Sequence, residues 1–107
     1  MPSLPANADV LSALPDWPEA QQRIADNTAQ LWLGERSAIV TEIVGDAIHV
    51  WLGAGDLNEL LEMRPLIERY GREIGCTRIT GDGRLGWQRA LKPHGYALND
   101  DVLEKTL

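Results

Sequence analysis

The stretch from Asp46 to Ile74 changes its period partway along, and that change limits the folds open to the chain. Asp46-Ala-Ile-His-Val-Trp-Leu52 alternates, placing Ile48, Val50 and Leu52 on one face and Ala47, His49 and Trp51 on the other. Both faces are largely apolar, the pattern of a central strand covered on two sides. Gly53-Ala-Gly55 then turns the chain, and Leu60, Met63, Ile67, Tyr70 and Ile74 step by three and four, the spacing of a helix with one buried stripe. Asp56-Leu-Asn-Glu59 has the form of a capping box, and Pro65 predicts either a kink or the start of the helix's second half. Helical N–H groups exposed after such a glycine turn can bind an anion, and the helix dipole favours one.

The flanking segments supply partners for this unit. Residues 1–15 read as a loose, proline-punctuated segment with a short helix over Ala6 to Leu14, and residues 16–107 as one domain. Asp16-Trp-Pro-Glu19 predicts a helix start with Asp16 as N-cap, and Trp17, Ala20 and Ile24 share its buried face. Ala29 to Leu33, Ser37 to Val44 and Asp46 to Leu52 predict consecutive antiparallel strands. Thr77 to Thr80 predicts a further strand, Gly81-Asp-Gly-Arg-Leu-Gly86 a loop, Trp87 to Leu91 a short helix, and Tyr96 to Leu107 a last strand. The expected class is α+β, with helices on both faces of a mixed, mainly antiparallel sheet.

Composition removes several functions. With 107 residues and 44% hydrophobic composition, the chain has material for one core. A formal charge of -6 argues against binding the phosphate backbone of nucleic acid, which needs clustered Lys and Arg. Cys76 is the single cysteine, so neither an internal disulfide nor a cysteine-ligated metal site is expected. No apolar run has the roughly 20 residues of a membrane span, and the first residues lack signal-peptide character, so a cytoplasmic site of synthesis is expected.

Two polar residues fall on strands. His49 shares a face with Trp51, and packing explains it more simply than a role as base or ligand. Glu42 shares a face with Ala38, Val40 and Val44, so either that face is partly wet or the carboxylate is functional.

The element order, Gly53-Ala-Gly55 between strand and helix, and Gly95-Tyr96 before the last strand together resemble the Gcn5-related N-acetyltransferase (GNAT) fold lacking its first strand. Gln30-Leu-Trp32, Val40-Thr-Glu-Ile43 and Gly83-Arg-Leu-Gly-Trp87 are similar to small acetyltransferase-like proteins of tailed phages and prophages. The resemblance implies acetyl-CoA with its pyrophosphate on the N–H groups that open the central helix, at Gly53, Ala54 and Gly55, with Arg84 as a further phosphate ligand. It implies Glu42 or His49 as base, and Tyr70 or Tyr96 as a substitute acid, because the family's acidic tyrosine falls at Leu91 and its asparagine at Arg84.

The residues also depart from that family. Asp56 and Glu59 place negative charge where the pyrophosphate belongs, and no Lys or Arg lies between Arg36 and Arg64. The expectation is therefore a non-catalytic GNAT-like module, without cofactor, that binds a protein partner or itself, as a phage structural or accessory subunit with virion association. The alternative is an acetyl-CoA-dependent N-acetyltransferase with a divergent loop. Four Trp residues and an edge strand at Ala29 to Leu33 are the reasons to expect a partner.

Overall fold

The computed structural model describes residues 11, 12, 14–83 and 85–107. The elements are α1 (Trp17–Ala25), β1 (Ala29–Leu33), β2 (Ala38–Val44), β3 (Ala47–Ala54), α2 (Leu57–Glu73), β4 (Arg78–Asp82), α3 (Leu85–Leu91), β5 (Ala97–Asn99) and β6 (Val102–Thr106). The six strands form one sheet in the order β1-β2-β3-β4-β6-β5. Among the described strands only β3 and β4 run parallel, and β3 is central as the sequence predicts. The two-period stretch explains the parallel pair, since α2 is the crossover that returns the chain beside β3.

Each face of the sheet has its own core. On one side Trp17 and Ala20 of α1 pack with Leu11, Ala29, Ala38 and Val40. On the other, Leu60, Met63 and Ile67 of α2 pack with Ile39, Ile48, Ile79, Tyr96 and Leu103. Gly71 lets α2 lie close to the sheet, because a Cβ there would come within 2.9 Å of Ile48 and 3.0 Å of Leu107. Most of the helix expected over Ala6 to Leu14 lies outside the described residues, but Leu11 and Leu14 both pack on the α1 side.

Several local expectations need correction. Asp16 makes no side-chain cap, and Glu19 instead pairs with Arg23 at 2.9 Å. Pro65 lies inside the single 17-residue α2, so it does not start a second helix. Ile74 lies beyond the end of α2 and is 45% exposed, so the buried stripe stops at Tyr70. Tyr96 to Leu107 is a hairpin and not one strand, reversing at Asp100, whose φ of 55° a short polar side chain tolerates. The glycine-rich loop shrinks as well, because Gly81 and Asp82 belong to β4 and Leu85 already opens α3.

The central strand departs from strict alternation in a way that shapes the site. Val40 pairs with Leu52 but Thr41 pairs with Val50, so Trp51 is an extra residue, a β-bulge. Val50 packs on the α2 side, while Trp51, Leu52 and Ala54 all pack on the α1 side. Leu52 therefore leaves the face that simple alternation assigns it. Gly53 and Ala54, expected in a turn, extend β3 and pair with Ile39 and Ala38.

Candidate functional site

A bulge bends its strand and increases its twist, and here it separates β3 from its parallel neighbour. The β3–β4 ladder joins Ala47 to Arg78, Ile48 to Ile79 and His49 to Thr80, and among the described residues it goes no further. Beyond that rung a cavity of about 80 Å³ opens between the strands. Its walls include Val50 and Gly53 from β3, Gly81 and Asp82 from β4, Leu60 and Arg64 from α2, and Trp87 and Leu91 from α3. The crevice lies past the point where two parallel strands part, near their carboxyl ends, a common place for ligands in sheets with crossover helices. Divergence also leaves the β4-facing backbone groups of Val50 to Gly53 without a strand partner among the described residues, so an extended, amide-bearing ligand can pair with them.

The start of α2 closes one end of this region. Gly55 is the junction, with φ of 124°, and a Cβ there would come within 2.5 Å of the Arg36 carbonyl oxygen and of Ser37. Asp56 caps the helix by accepting from the Glu59 N–H at 3.0 Å, and its own N–H donates to Ser37 Oγ at 2.9 Å. Glu59 does not complete a capping box. Its carboxylate crosses to the β1–β2 turn and accepts from the N–H groups of Glu35 at 3.0 Å and Arg36 at 2.8 Å. Ser37, then the Arg36 and Glu35 N–H groups and the Arg36 charge, hold that carboxyl below the usual range. Only one of the two acids therefore covers a helical N–H, and the turn brings the Arg36 backbone to the start of α2, near enough for its charge to act on Glu59. Linear distance along the chain concealed that proximity.

A buried ionic network adjoins the cavity. Glu68 is 2% exposed and accepts from Lys105 Nζ at 2.7 Å, Arg64 Nη1 at 2.5 Å and Tyr96 Oη at 2.9 Å. Burial pushes its carboxyl up, but hydrogen bonds from Lys105, Arg64 and Tyr96 outweigh burial and leave it below the usual range. Burial, then the Glu68 charge, pushes the Tyr96 phenol far above its ordinary value. Arg64 and Tyr96 both line the cavity, and the Arg64 Nε atom is buried without a hydrogen-bond partner. Sequence reasoning passed over Glu68 and Arg64. The available signal was their spacing of four, on the turn that carries Ile67 inward.

The residues singled out from sequence do not converge. Glu42 pairs with Arg23 of α1, whose guanidinium also stacks 4.9 Å from the Trp51 ring centroid. His49 lies opposite Glu42 across the β2–β3 ladder, and its Nδ1 is 2.8 Å from Thr80 Oγ1. Both lie on the α1 side, whereas Tyr96 lies on the α2 side with its hydroxyl proton directed to Glu68. As a weakened acid already bound to a carboxylate, Tyr96 is poorly suited to protonate a leaving group. Gly53 lines the cavity, Ala54 and Gly55 lead to the α2 start, and Arg84 lies outside the described residues. Among the described residues no cluster of His, Cys, Asp and Glu is arranged to hold a metal ion, and no helix is long and apolar enough to cross a membrane.

No protein-family model matches the sequence, and no curated protein matches it. Two solved structures share its architecture. One, from Lactobacillus plantarum and provisionally described as an N-acetyltransferase, aligns with a TM-score of 0.63 and 15% identity over 97% of this chain and 93% of its own. The other, an acetyltransferase from Bacillus cereus ATCC 14579, aligns with a TM-score of 0.56 and 14% identity over 100% of this chain and 96% of its own. At such identities the likeness is one of fold, and the chain has a GNAT-like α+β fold with its crevice where the two parallel strands part.

Proposed function

We propose that the protein is an acyl-CoA-dependent N-acyltransferase. The observation that carries this reading is the cavity at the divergence of β3 and β4, next to the start of α2. The acetyltransferase descriptions of both structural neighbours favour it over a non-catalytic phage accessory role. The residues fit such a substrate. The open edge of Val50 to Gly53 offers donors and acceptors to the amides of the pantetheine arm, and Val50, Leu60, Trp87 and Leu91 offer it an apolar wall. The first N–H groups of α2, at Leu57 and Asn58, with Arg36 nearby, suit the pyrophosphate.

When bound, the thioester supplies the activated acyl group. The protein holds it extended, excludes water from its apolar length and leaves the α1 side of the crevice to the amine. A thiol with a pKa of about 8.5 can leave as thiolate near neutral pH, so Leu91 in the tyrosine position slows the reaction without forbidding it. General acid catalysis is typically worth about 10²–10⁴-fold, the range by which turnover is expected to fall short of an enzyme that has it.

The engagement of Glu42 and Tyr96 by other side chains favours a second reading, a module of the same fold that binds acyl-CoA or a protein without turnover. Calorimetric titration with acetyl-CoA, paired with a melting shift, tests the first reading. Ligand at a hundred times its dissociation constant adds about 2.7 kcal/mol of stability. The absence of both heat and a melting shift at millimolar acetyl-CoA would refute acyl-CoA binding. Binding with no acyl transfer to a panel of primary amines would leave the non-catalytic module.

A further inference from the structure

The β2–β3 ladder is pinned at both ends, and the two ends do not agree. At one end the two-residue turn Gly45-Asp46, with Gly45 at a φ of 60°, sets Val44 against Ala47. At the other end Ala38 pairs with Ala54, and just beyond that rung Ser37 Oγ accepts from the Asp56 N–H at 2.9 Å. Between these ends β2 supplies 7 residues and β3 supplies 8, so one residue of β3 has to stay out of the ladder. That residue is Trp51, and the strands part just before it.

The hairpin end fixes its own register through its short turn. The α2 end is held by side chains. Glu59 reaches back from the first turn of α2 to accept from the N–H groups of Glu35 at 3.0 Å and Arg36 at 2.8 Å, while Ser37 holds Asp56. Gly34 leaves room for this contact, since a Cβ there would come within 2.5 Å of Glu59 Oε1. Without these tethers the strands would gain a regular rung by losing the bulge. Val40 would then face Trp51 and Ile39 would face Leu52, and Leu52 would join Ile48 and Val50 on the α2 side, as alternation favours. A straight β3 also stays beside β4 and leaves no crevice.

We propose that Glu59 and Ser37 are positioning residues for the acyl-CoA site, fixing the start of α2 one residue out of step with the hairpin turn and so holding the bulge, and the crevice with it, open. The consequence for binding rests on the acyl-CoA reading, whereas the register does not. Positioning gives Glu59 the opposite sign from charge alone. A carboxylate beside the first N–H groups of α2 repels a pyrophosphate, so on charge alone its removal strengthens acetyl-CoA binding. As a tether its removal weakens that binding, because the crevice closes in the molecules that lose the bulge. Neither residue has to touch the donor to have this effect.

The test uses Glu59→Ala and Ser37→Ala in the full chain, with calorimetric titration of acetyl-CoA and nuclear Overhauser contacts between β2 and β3. Glu59→Ala is expected to bind acetyl-CoA about tenfold more weakly than wild type, the scale of one hydrogen-bonded tether to a charged group, and Ser37→Ala to shift in the same direction. Both are expected to show Ile39 against Leu52 in part of the molecules, where the wild type shows Ile39 against Gly53. Glu59→Gln, which drops the charge but keeps an acceptor oxygen, is expected to recover most of the affinity. Acetyl-CoA binding that is unchanged or tighter in Glu59→Ala overturns the proposal and leaves the acyl-CoA reading intact. Weaker binding with Ile39 still against Gly53 alone also overturns it, by showing that the loss does not pass through the register. Ser37→Ala removes one oxygen from a buried side chain, so it supplies both readouts if Glu59→Ala fails to fold. If the wild type binds no acetyl-CoA, the acyl-CoA reading fails, and the contacts of Ile39 alone decide whether these residues hold the bulge.

Discussion

Replacing Glu68 by Ala should cost the fold a large part of its stability. The carboxylate is 2% exposed, and its removal leaves Arg64 and Lys105 without their anion and Tyr96 without its acceptor. Breaking a buried ion pair from one side costs about 3–5 kcal/mol. Both cations retain some solvent contact, with side chains 18% and 23% exposed, which places the loss at about 3 kcal/mol. At about 4–8 °C per kcal/mol for a domain near this size, the melting temperature should fall by roughly 12–24 °C. Thermal unfolding followed by circular dichroism measures this directly. The pH dependence gives a second signature. The folded pKa of Glu68 is depressed, so its contribution is complete above the unfolded value of about 4.3 and disappears as pH falls through the lower folded value. The melting gap between wild type and Glu68→Gln should therefore be constant from pH 7 to 5 and narrow below about pH 4. An Ala variant melting within a few degrees of wild type at pH 7, or a Gln gap that does not change on acidification, would refute the reasoning.

Gly55→Ala is expected to destabilise by about 1–3 kcal/mol, because its φ of 124° and the close approach of Arg36 and Ser37 both reject a Cβ; an unchanged melting curve would show that the junction relaxes. Glu59→Gln should speed amide exchange at Glu35 and Arg36 selectively, since these N–H groups lose a charged acceptor, and unaltered exchange there would remove the tether between the β1–β2 turn and α2. Deleting Trp51 removes the bulged residue while keeping Val50 and Leu52 on the sides they already occupy, so a folded protein that no longer binds acyl-CoA is expected. Retained binding in that deletion would show that the crevice does not depend on the bulge.

Much of the fold was legible because the apolar periods agree with the tertiary arrangement. The switch at Gly53 to Asp56 announced a central strand and its crossover helix, and Ile48, Leu60 and Ile67 are buried as the periods require. What failed were positions where a polar partner outside the local segment decides the geometry. Glu59 has the spacing of a capping box, yet two N–H groups from another turn compete for its carboxylate and win. Trp32 alternates with Leu31 and Leu33, so strict alternation turns one of the two sets outward unless it is covered. Its indole N–H donates to Thr41 Oγ1 at 2.9 Å and its ring meets Tyr70 edge-on, so cover comes from the chain itself. Leu31 packs on the α1 side, leaving Leu33 as the exposed member of that strand. The case for a partner at β1 thus rests on its unpaired backbone edge and no longer on its aromatic side chain.

The site was harder to read because it is made by an irregularity and by a charge, and neither leaves a periodic trace. Strict alternation through Ile48, Val50 and Leu52 describes a strand that would stay beside β4 along its length, with no crevice. One extra residue at Trp51 moves Leu52 to the α1 side, and the strands part after His49 and Thr80. Nothing in the local sequence marks Trp51 as extra, since an aromatic residue in a strand is what propensity expects. Arg64 and Glu68 show the same difficulty in another form. Four apart on a helix, they look like an ordinary solvent-facing pair, but Gly71 brings α2 so near the sheet that Glu68 is enclosed with Tyr96 and Lys105. A pair that would contribute little at a surface interacts more strongly once it is enclosed beside the crevice. The bulge makes the space, and the close approach of α2 to the sheet encloses the charges that border it.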